Sequence, residues 1–347
     1  MRNSSRNTLR AGIALVFSAI VATAAFADDT ALPTSVQKGT KIVLADDANN
    51  AASLLKLSGE YDKLSADVSF ANFTSGPLRL EAIRAGAAQV GAVGDVPPIL
   101  AHFSGAEVVI VGVVVTEGPT TIIATAPDAG INSLKDLKGK KVGINPGTAQ
   151  QAIVFRNLKA SGLKPEDIQP INLGLAEFAD ALRSGQIDAA VLKQPDRARY
   201  LKSVAGTGAR EIEDAEGGNK NLKILYAAKS ALADPAQAAA IRDLVVHWYR
   251  AHLWKNDNAE TWARDYLVKD QRLSAEDAQA VIEAESGKSY IPDWKSEIIP
   301  RQQDTINLLQ AAGNFKGKDL KAEDEFDHRF DGLNDKSESA AELHNDG

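Results

Sequence analysis

The chain has 347 residues, 44% of them hydrophobic, enough for two ordinary domains with cores of their own. It contains no cysteine, which excludes disulfides, thiolate metal sites and a cysteine nucleophile. The formal net charge of −7 argues against a long basic surface for nucleic acid.

In chain order, Arg2, Arg6 and Arg10 precede an apolar run over 11–24, and Ala25-Phe26-Ala27 has the small-x-small pattern of a cleavage site. The run is shorter than the roughly 20 residues a membrane span needs. Residues 1–27 are therefore expected to be a signal peptide cleaved after Ala27. There is no twin arginine, and no cysteine stands at the junction, so no lipid anchor is expected. The expected product is a soluble protein exported to a bacterial periplasm.

Residues 41–45 read as a short apolar strand leading into the polar turn Asp46-Asp47-Ala48-Asn49-Asn50, which can cap a helix over 51–58. A strand over 65–70 follows. Thr74-Ser75-Gly76-Pro77 then opens a helix whose apolar positions are Leu78, Leu80, Ile83 and Ala87, with Gly86 closing it. Residues 90–93 form a buried strand, and Gly94-Asp95 starts the next helix, with Pro97 and Pro98 in its first turn. A β-branched run over 107–115 reads as a strand buried on both faces, and 120–125 as another.

A second alternation begins near Asn132. It comprises a strand before Asn145, a helix from Pro146-Gly147-Thr148-Ala149 to about Ser161, and a strand over 168–171. A helix over 175–184, a strand over 187–192 and a helical stretch over 194–203 complete it. This pattern predicts a parallel sheet. Residues 223–228 form a strand that can return to the first alternation. Helices are expected over 235–255, 259–268, 274–286 and 294–312, and 334–347 reads as a flexible tail. The two alternations fit either two successive domains or one inserted in the other.

Four helix N-termini follow strand ends, near Asn49-Asn50, Ser75-Gly76-Pro77, Gly94-Asp95 and Gly147-Thr148-Ala149. In an open α/β sheet that edge binds ligands, and the unpaired N–H groups of helix starts favour anions. The bland reading is that these residues are ordinary caps and turns. Asp95 is expected to cap its own helix, Arg79 to face solvent, and Asp46 and Asp47 to be solvated turn residues or to hold a ligand's amino group. Lys193 and Gln194, just after a strand, are either ligand contacts or a polar helix start. Phe73 lines a ligand's carbon chain or packs in the core. The five histidines form no metal motif, and Trp248, Tyr249, Trp254 and Trp262 read as helix packing. No Walker sequence, G-x-G-x-x-G fingerprint or G-x-S-x-G elbow is present.

Several segments together resemble the aliphatic-sulfonate-binding proteins of ABC importers, within a wider group that includes taurine-, nitrate- and thiamine-precursor-binding proteins. These are Phe73-x-x-Gly76-Pro77, Glu81-Ala82-Ile83-x-x-Gly86, Val90-Gly91, Gly94-Asp95-x-Pro97-Pro98, and Leu134-x-Asp136-Leu137-Lys138-Gly139-Lys140-x-Val142-Gly143. Gly147-Thr148-Ala149, Gly185-x-Ile187-Asp188-Ala189 and Phe326-Asp327-x-Arg329-Phe330 continue it, so that it covers about 41–333.

The resemblance implies an α/β, type II periplasmic-binding-protein fold with two lobes joined by two hinge crossovers. Lobe 1 would be 41–123 plus 225–333, and lobe 2 would be 124–224, inserted in it. It further implies a non-enzymatic solute-binding component that closes on a small sulfonate, either an alkanesulfonate or taurine. An inner-membrane ABC permease would be its partner. The expected ligand contacts are Asp47, Asn49, Ser75, Gly76, Pro77, Gly94, Asp95, Gly147, Thr148, Ala149, Lys193 and Gln194. No catalytic residue, metal or cofactor is expected, and the protein is expected to be a monomer. Relatives on the same fold include a sulfinate-cleaving enzyme and thiamine-pyrimidine-forming proteins. An enzyme of that kind, or a binding protein for another small anion or zwitterion, is the alternative reading.

Overall fold

Short strands ending in a carboxylate or glycine turn, each feeding a helix, arrange the chain into two sheets. The computed structural model describes residues 31–118, 121–212, 220–284 and 288–343. The leader expected over 1–27 lies outside the described residues.

The first half runs β1 (Lys41–Asp46), α1 (Asn50–Leu57), β2 (Asp67–Asn72), α2 (Gly76–Arg84), β3 (Val90–Val93), α3 (Val96–Ser104) and β4 (Val108–Glu117). The second comprises β5 (Thr121–Thr125), β6 (Lys141–Ile144), α4 (Ala149–Ala160), β7 (Gln169–Asn172), α5 (Phe178–Arg183), β8 (Ala189–Lys193), α6 (Asp196–Ser203) and β9 (Glu211–Ile212). The chain then returns through β10 (Lys220–Ala228) to α7 (Lys229–Ala233), α8 (Pro235–Asp257), α9 (Ala259–Trp262), α10 (Ala275–Ala284), β11 (Ser289–Tyr290), α11 (Ile299–Ala311) and α12 (Ala340–Leu343).

One sheet has the order β11-β4-β10-β3-β1-β2 and the other β7-β6-β8-β5-β9. β1 runs parallel to β2 and β3, as expected for strands joined by crossover helices. β10 lies between β3 and β4 and is antiparallel to both, with Ile224 opposite Val93. The start of β10 therefore stands beside the C-terminal end of β3.

The parallel sheet expected for the second block needs a correction. β6 is parallel to β7 and β8, but β5 is antiparallel to β8 and β9. β5 arrives directly from β4, without a crossover helix to turn it, so it enters the sheet in the opposite sense. The change of sheet falls between Glu117 and Thr121 on the way out and between Ile212 and Lys220 on the return. Residues 121–123 thus pair in the second sheet, and 220–224 in the first.

β4 is buried along nearly its whole length because both faces are covered, and its valines pack against Ile241, Leu244, Val245 and Trp248 of α8. Asp234 caps α8 by accepting hydrogen bonds from the Ala236 and Gln237 N–H groups, with Pro235 at the first helical position. α11 places Ile306 and Leu309 in a cluster that holds Ile99 of the first half together with Val142, Ile153 and Leu158 of the second. These two residues are three apart on one helix face, so together they cover the groove between α3 and α4. Two stretches read as plain α-helix are π-helical, Ala263–Asp270 and Trp294–Ile298. Pro300, in the first turn of α11, follows the second.

The tail expected to be flexible is held in place over its described part. Arg250 donates to the Asp335 and Ser337 carbonyls and ion-pairs with Glu342. The Asp243 carboxylate accepts from the Ala340 N–H at 2.7 Å. Backbone carbonyls and one N–H of the tail, together with the Glu342 carboxylate, bind it to Arg250 and Asp243 of α8.

Candidate functional site

The ends of β1, β3 and β8, the starts of β5 and β10 and the start of α4 meet at one cavity of about 330 Å³. Four helices begin beside these ends, and their starting residues differ in what they can offer a ligand.

The start of α1 is already occupied. The buried Asp46 carboxylate accepts from the N–H groups of Asp47 (2.7 Å), Ala51 (3.1 Å) and Ala52 (3.0 Å). Burial raises its pKa against the pull of those three donors. Asp46 is thus the cap of α1 and not a solvated turn residue. Asn49 bonds Asn72 instead and does not line the cavity.

At α2, Gly76 lines the cavity. A Cβ there would stand 2.3 Å from Pro97 Cγ, so α2 and α3 start as close together as glycine permits. Ser75 and Pro77 lie beside Gly76 but not on the cavity wall. At α3, Gly94 and Asp95 both line it. Contrary to the expectation that it caps its own helix, Asp95 makes no side-chain cap bond. Its buried carboxylate ion-pairs with Arg156 of α4, because that guanidinium crosses to it from the other half. Arg156 also donates to Thr305 Oγ1 at 2.6 Å. Pro97 and Pro98 carry no N–H, which leaves α3 with few donors to present.

α4 is the most open of the four. Thr148 and Ala149 line the cavity; the Gln151 N–H donates to the Thr148 carbonyl at 3.1 Å, while the N–H groups of Ala149 and Gln150 have no i−4 partner within the helix. The Thr148 hydroxyl donates to the Asn145 carbonyl at 2.7 Å. Gly147, with φ of 76°, is not on the cavity wall, and a Cβ there would meet Leu100 at 3.0 Å and Pro77 at 3.4 Å. A Cβ on Gly94 would come within 2.9 Å of Ala149 Cβ, so the starts of α3 and α4 are also in close contact.

Arg79, expected in solvent, is buried. Its guanidinium donates to the Phe73 carbonyl at 2.7 Å and the Asp46 carbonyl at 3.4 Å, and lies 3.9 Å from Asp47. α2 is short and its second turn passes over the β1–α1 loop, so this arginine points inward. Phe73 packs against the first core cluster and not on the cavity wall. Asp47 ion-pairs with Lys193 at the end of β8. Burial pushes the Asp47 pKa up, but Lys193 and Arg79 outweigh this and hold it below the usual carboxylate value. Gln194 lines the cavity while its side-chain oxygen accepts from the Ala198 N–H at 3.2 Å, supporting α6.

Eight of the twelve residues expected as contacts therefore line one cavity: Asp47, Gly76, Gly94, Asp95, Thr148, Ala149, Lys193 and Gln194. Sequence reasoning missed Arg156, Lys223, Trp248, His252, Tyr266 and Arg301, which line it too. Trp248 and His252 are four apart on α8 and so share a face. That spacing was the one signal available for them. Among the described residues, no group of three or more histidines and carboxylates is placed to hold a metal ion.

Residues 66–202 match the family described as NMT1/THI5 like. Over 162 residues the chain is 33% identical to a provisionally named aliphatic sulfonates-binding protein of Escherichia coli (strain K12). That match covers 47% of this chain and 50% of the relative, so the chain spans about half the length of the relative it matches. The structure is similar to that of the periplasmic aliphatic sulphonate binding protein SsuA from Escherichia coli. The TM-score is 0.70 and the identity 25%, over 85% of this chain and 99% of that one. It also shares its fold with the alkanesulfonate-binding protein SsuA from Xanthomonas axonopodis pv. citri bound to MOPS, at a TM-score of 0.70 and 21% identity over 83% and 98% of the two chains. The α/β periplasmic-binding-protein fold and the resemblance to sulfonate-binding proteins, both read from sequence motifs, are found in these comparisons.

Proposed function

We propose that this protein is the periplasmic solute-binding component of an ABC importer, taking a small organic sulfonate into the cavity between its two sheets. The observation that carries this reading is the convergence of Gly76, Thr148 and Ala149, at the starts of α2 and α4, with Arg79, Arg156 and Lys193 on one cavity. Helix-start N–H groups and guanidinium groups stabilise an anion, and these three cations outnumber Asp47 and Asp95, the two wall carboxylates that they face. Each charge-assisted hydrogen bond contributes about 1.5–3 kcal/mol. The sulfonate-binding relatives support the same chemistry.

In this reading the lobes are 41–123 plus 225–333 and 124–224, adjusted to the sheet crossings described above. The cavity closes by hinge motion about those crossings, and the ligand selects the closed form that an inner-membrane permease recognises. The protein acts as a monomer that binds and does not turn over its ligand, after export and cleavage following Ala27. Asp46 is consumed by its cap and Asp47 by Lys193 and Arg79, which favours an alkanesulfonate-type ligand over one bearing an ammonium group such as taurine.

Calorimetric titration of the purified protein with ethanesulfonate and butanesulfonate tests the proposal. Saturable binding heat is expected. No response to either sulfonate, together with clear binding of a different ligand class, overturns it.

A further inference from the structure

Resting on the reading above of a cavity that closes on its ligand, we infer that α6 is a latch. Arg199 and Lys202 fasten it across the cavity rim to residues 271–277, and so act as positioning residues that set how tightly the closed cavity holds a ligand neither of them touches. α6 follows β8 of the second sheet, whereas Leu273 and Ala278 pack in the core of the first. The helix starts at the site, since Lys193, Gln194, Pro195 and Asp196 all line the cavity. Beyond them its faces divide. Arg197 ion-pairs with Glu211 of β9, and the Tyr200 hydroxyl donates to the Thr125 carbonyl of β5 at 2.7 Å, so these two hold α6 to its own sheet. Ala198, Arg199 and Lys202 turn the other way. Ala198 packs against the core of the first sheet, and the Arg199 guanidinium donates to the Gln271 carbonyl. Lys202 Nζ lies 3.1 Å from an Asp277 carboxylate oxygen and 3.4 Å from Ser274 Oγ. Residues 198 and 202 are four apart and 199 and 202 three apart, so the three form one stripe on the helix.

The receiving side is set in advance. The Ser274 hydroxyl donates to the Asp277 carboxylate at 2.6 Å, and its oxygen accepts from the Asp277 N–H at 3.1 Å, which fixes the carboxylate that Lys202 meets. Gln271 ties this side to the cavity. Its carbonyl takes the Arg199 bond, while its side chain lines the cavity and donates to the Ala48 carbonyl at 3.0 Å, beside Asp47. Lys202, Arg199, Ser274 and Asp277 are themselves off the cavity wall. Along the chain the two halves are linked at the two sheet crossings, so α6 and α10 meet by docking and not by covalent continuity. Contacts made only when the rim is shut shift the balance toward the closed form, and the apparent affinity rises with the closed fraction. The effect is modest, because the Lys202 side chain is 56% exposed and its ion pair is open to solvent.

The test uses paired spin labels, which the absence of cysteine from the chain permits. Labels on Ala205→Cys and Ala280→Cys, both exposed, stand on either side of the latch. In the ligand-free protein, Lys202→Glu sets a carboxylate against Asp277, and the label distances are expected to lengthen. The reversed pair Lys202→Glu with Asp277→Lys is expected to bring them back, which a merely structural role for either residue would not do. In calorimetric titration with ethanesulfonate, Lys202→Met is expected to weaken binding by about two- to fivefold, with the loss shrinking at high salt. Label distances that are the same in the wild type and Lys202→Glu overturn the inference. So does a reversed pair that fails to restore them, or an affinity unchanged in Lys202→Met. Silence of the wild type with ethanesulfonate counts against the sulfonate reading alone, because the ligand-free distances still decide the latch. Should Lys202→Glu fail to fold, the same distances measured in Lys202→Met, which removes the charge without reversing it, are expected to lengthen, and unchanged ones overturn the latch.

Discussion

Lys193, at the C-terminal end of β8, ion-pairs with Asp47, just past the C-terminal end of β1, so one contact links the edges of the two sheets across the cavity. The two residues lie 146 positions apart in sequence. Each stands where its strand delivers it, and both are partly exposed. Under the proposed function, an incoming anion would compete with Asp47 for the Lys193 ammonium and the Arg79 guanidinium.

This competition gives Asp47→Asn and Lys193→Met opposite effects. Removing the carboxylate frees two cations, and ethanesulfonate binding is expected to tighten by about two- to fivefold, because exposed pairs are worth at most about 1 kcal/mol. Removing the lysine is expected to weaken binding by a similar or larger factor. Titration at low and high salt checks both, with the Asp47→Asn gain shrinking as salt screens the freed charges. A weakening in both variants would show that the pair itself, and not the cations, holds the ligand.

The close start of α2 against α3 predicts the cost of a single methyl group. A Cβ at residue 76 would meet the Pro97 ring at 2.3 Å, and a proline ring cannot swing aside as a long side chain does. Gly76→Ala is expected to destabilise the fold by about 1–3 kcal/mol and to weaken sulfonate binding by displacing the α2 start. Gly94→Ala, where the neighbour is Ala149 Cβ at 2.9 Å, is expected to act more mildly on stability while still separating α3 from α4. Thermal denaturation and titration of the two variants measure these effects.

A buried histidine away from the cavity sets a pH dependence of stability. His247 Nδ1 lies 2.6 Å from Glu60 Oε2, and its Nε2 is 3.6 Å from Asp243 Oδ1. Burial lowers the His247 pKa, but Asp243 and Glu60 outweigh it and raise the value above 6.5. The contribution of this raised pKa is fully present below the unfolded value and is lost as pH rises through the folded one. The Glu60 and Asp243 values are lowered despite burial, by Lys63 and His247 for Glu60 and by His247, Ser65 and Ala340 for Asp243. Their contribution is present above the unfolded carboxylate values of 4.5 and 3.8 and is lost as pH falls through the folded ones. Melting temperature is therefore expected to decline as pH rises from 6.5 toward the alkaline side. In His247→Gln that decline is expected to flatten. An unchanged slope in the variant would assign it to other groups.

The clasp of the C-terminal segment on α8 predicts that Arg250→Ala loses the Glu342 ion pair and two carbonyl contacts together. A loss of about 1–2 kcal/mol is expected, larger than for an isolated surface pair because several bonds share one guanidinium. Faster proteolysis of residues 334–343, with the rest of the chain intact, is the accompanying readout.

Much of the architecture was legible in the residues because local rules carried it. The β-branched run of β4, the Asp234-Pro235 start of α8 and the glycine turns before α2 and α4 each depend on near neighbours in the chain. Motifs such as Gly94-Asp95-x-Pro97-Pro98 located strand ends and helix starts within a residue or two. Asp46 was recognised as part of a capping turn, though not as the cap that occupies α1. Asp95 was misread, since its cap role is local and its true partner, Arg156, is 61 positions away.

What the sequence by itself determined is the alternation of strands and helices and the set of strand ends from which a site can be built, because periodicity and turn chemistry act over a few residues. What only the tertiary structure decided is which of those ends share a cavity and which charges are already spent. Antiparallel β10 brings Lys223 beside the end of β3, and α8, lying under the first sheet, raises Trp248 and His252 into the same cavity. Arg79 and Arg156 turn inward to carboxylates far away in the chain. Charge pairing and burial depend on distances in space, and no spacing along the chain encodes them.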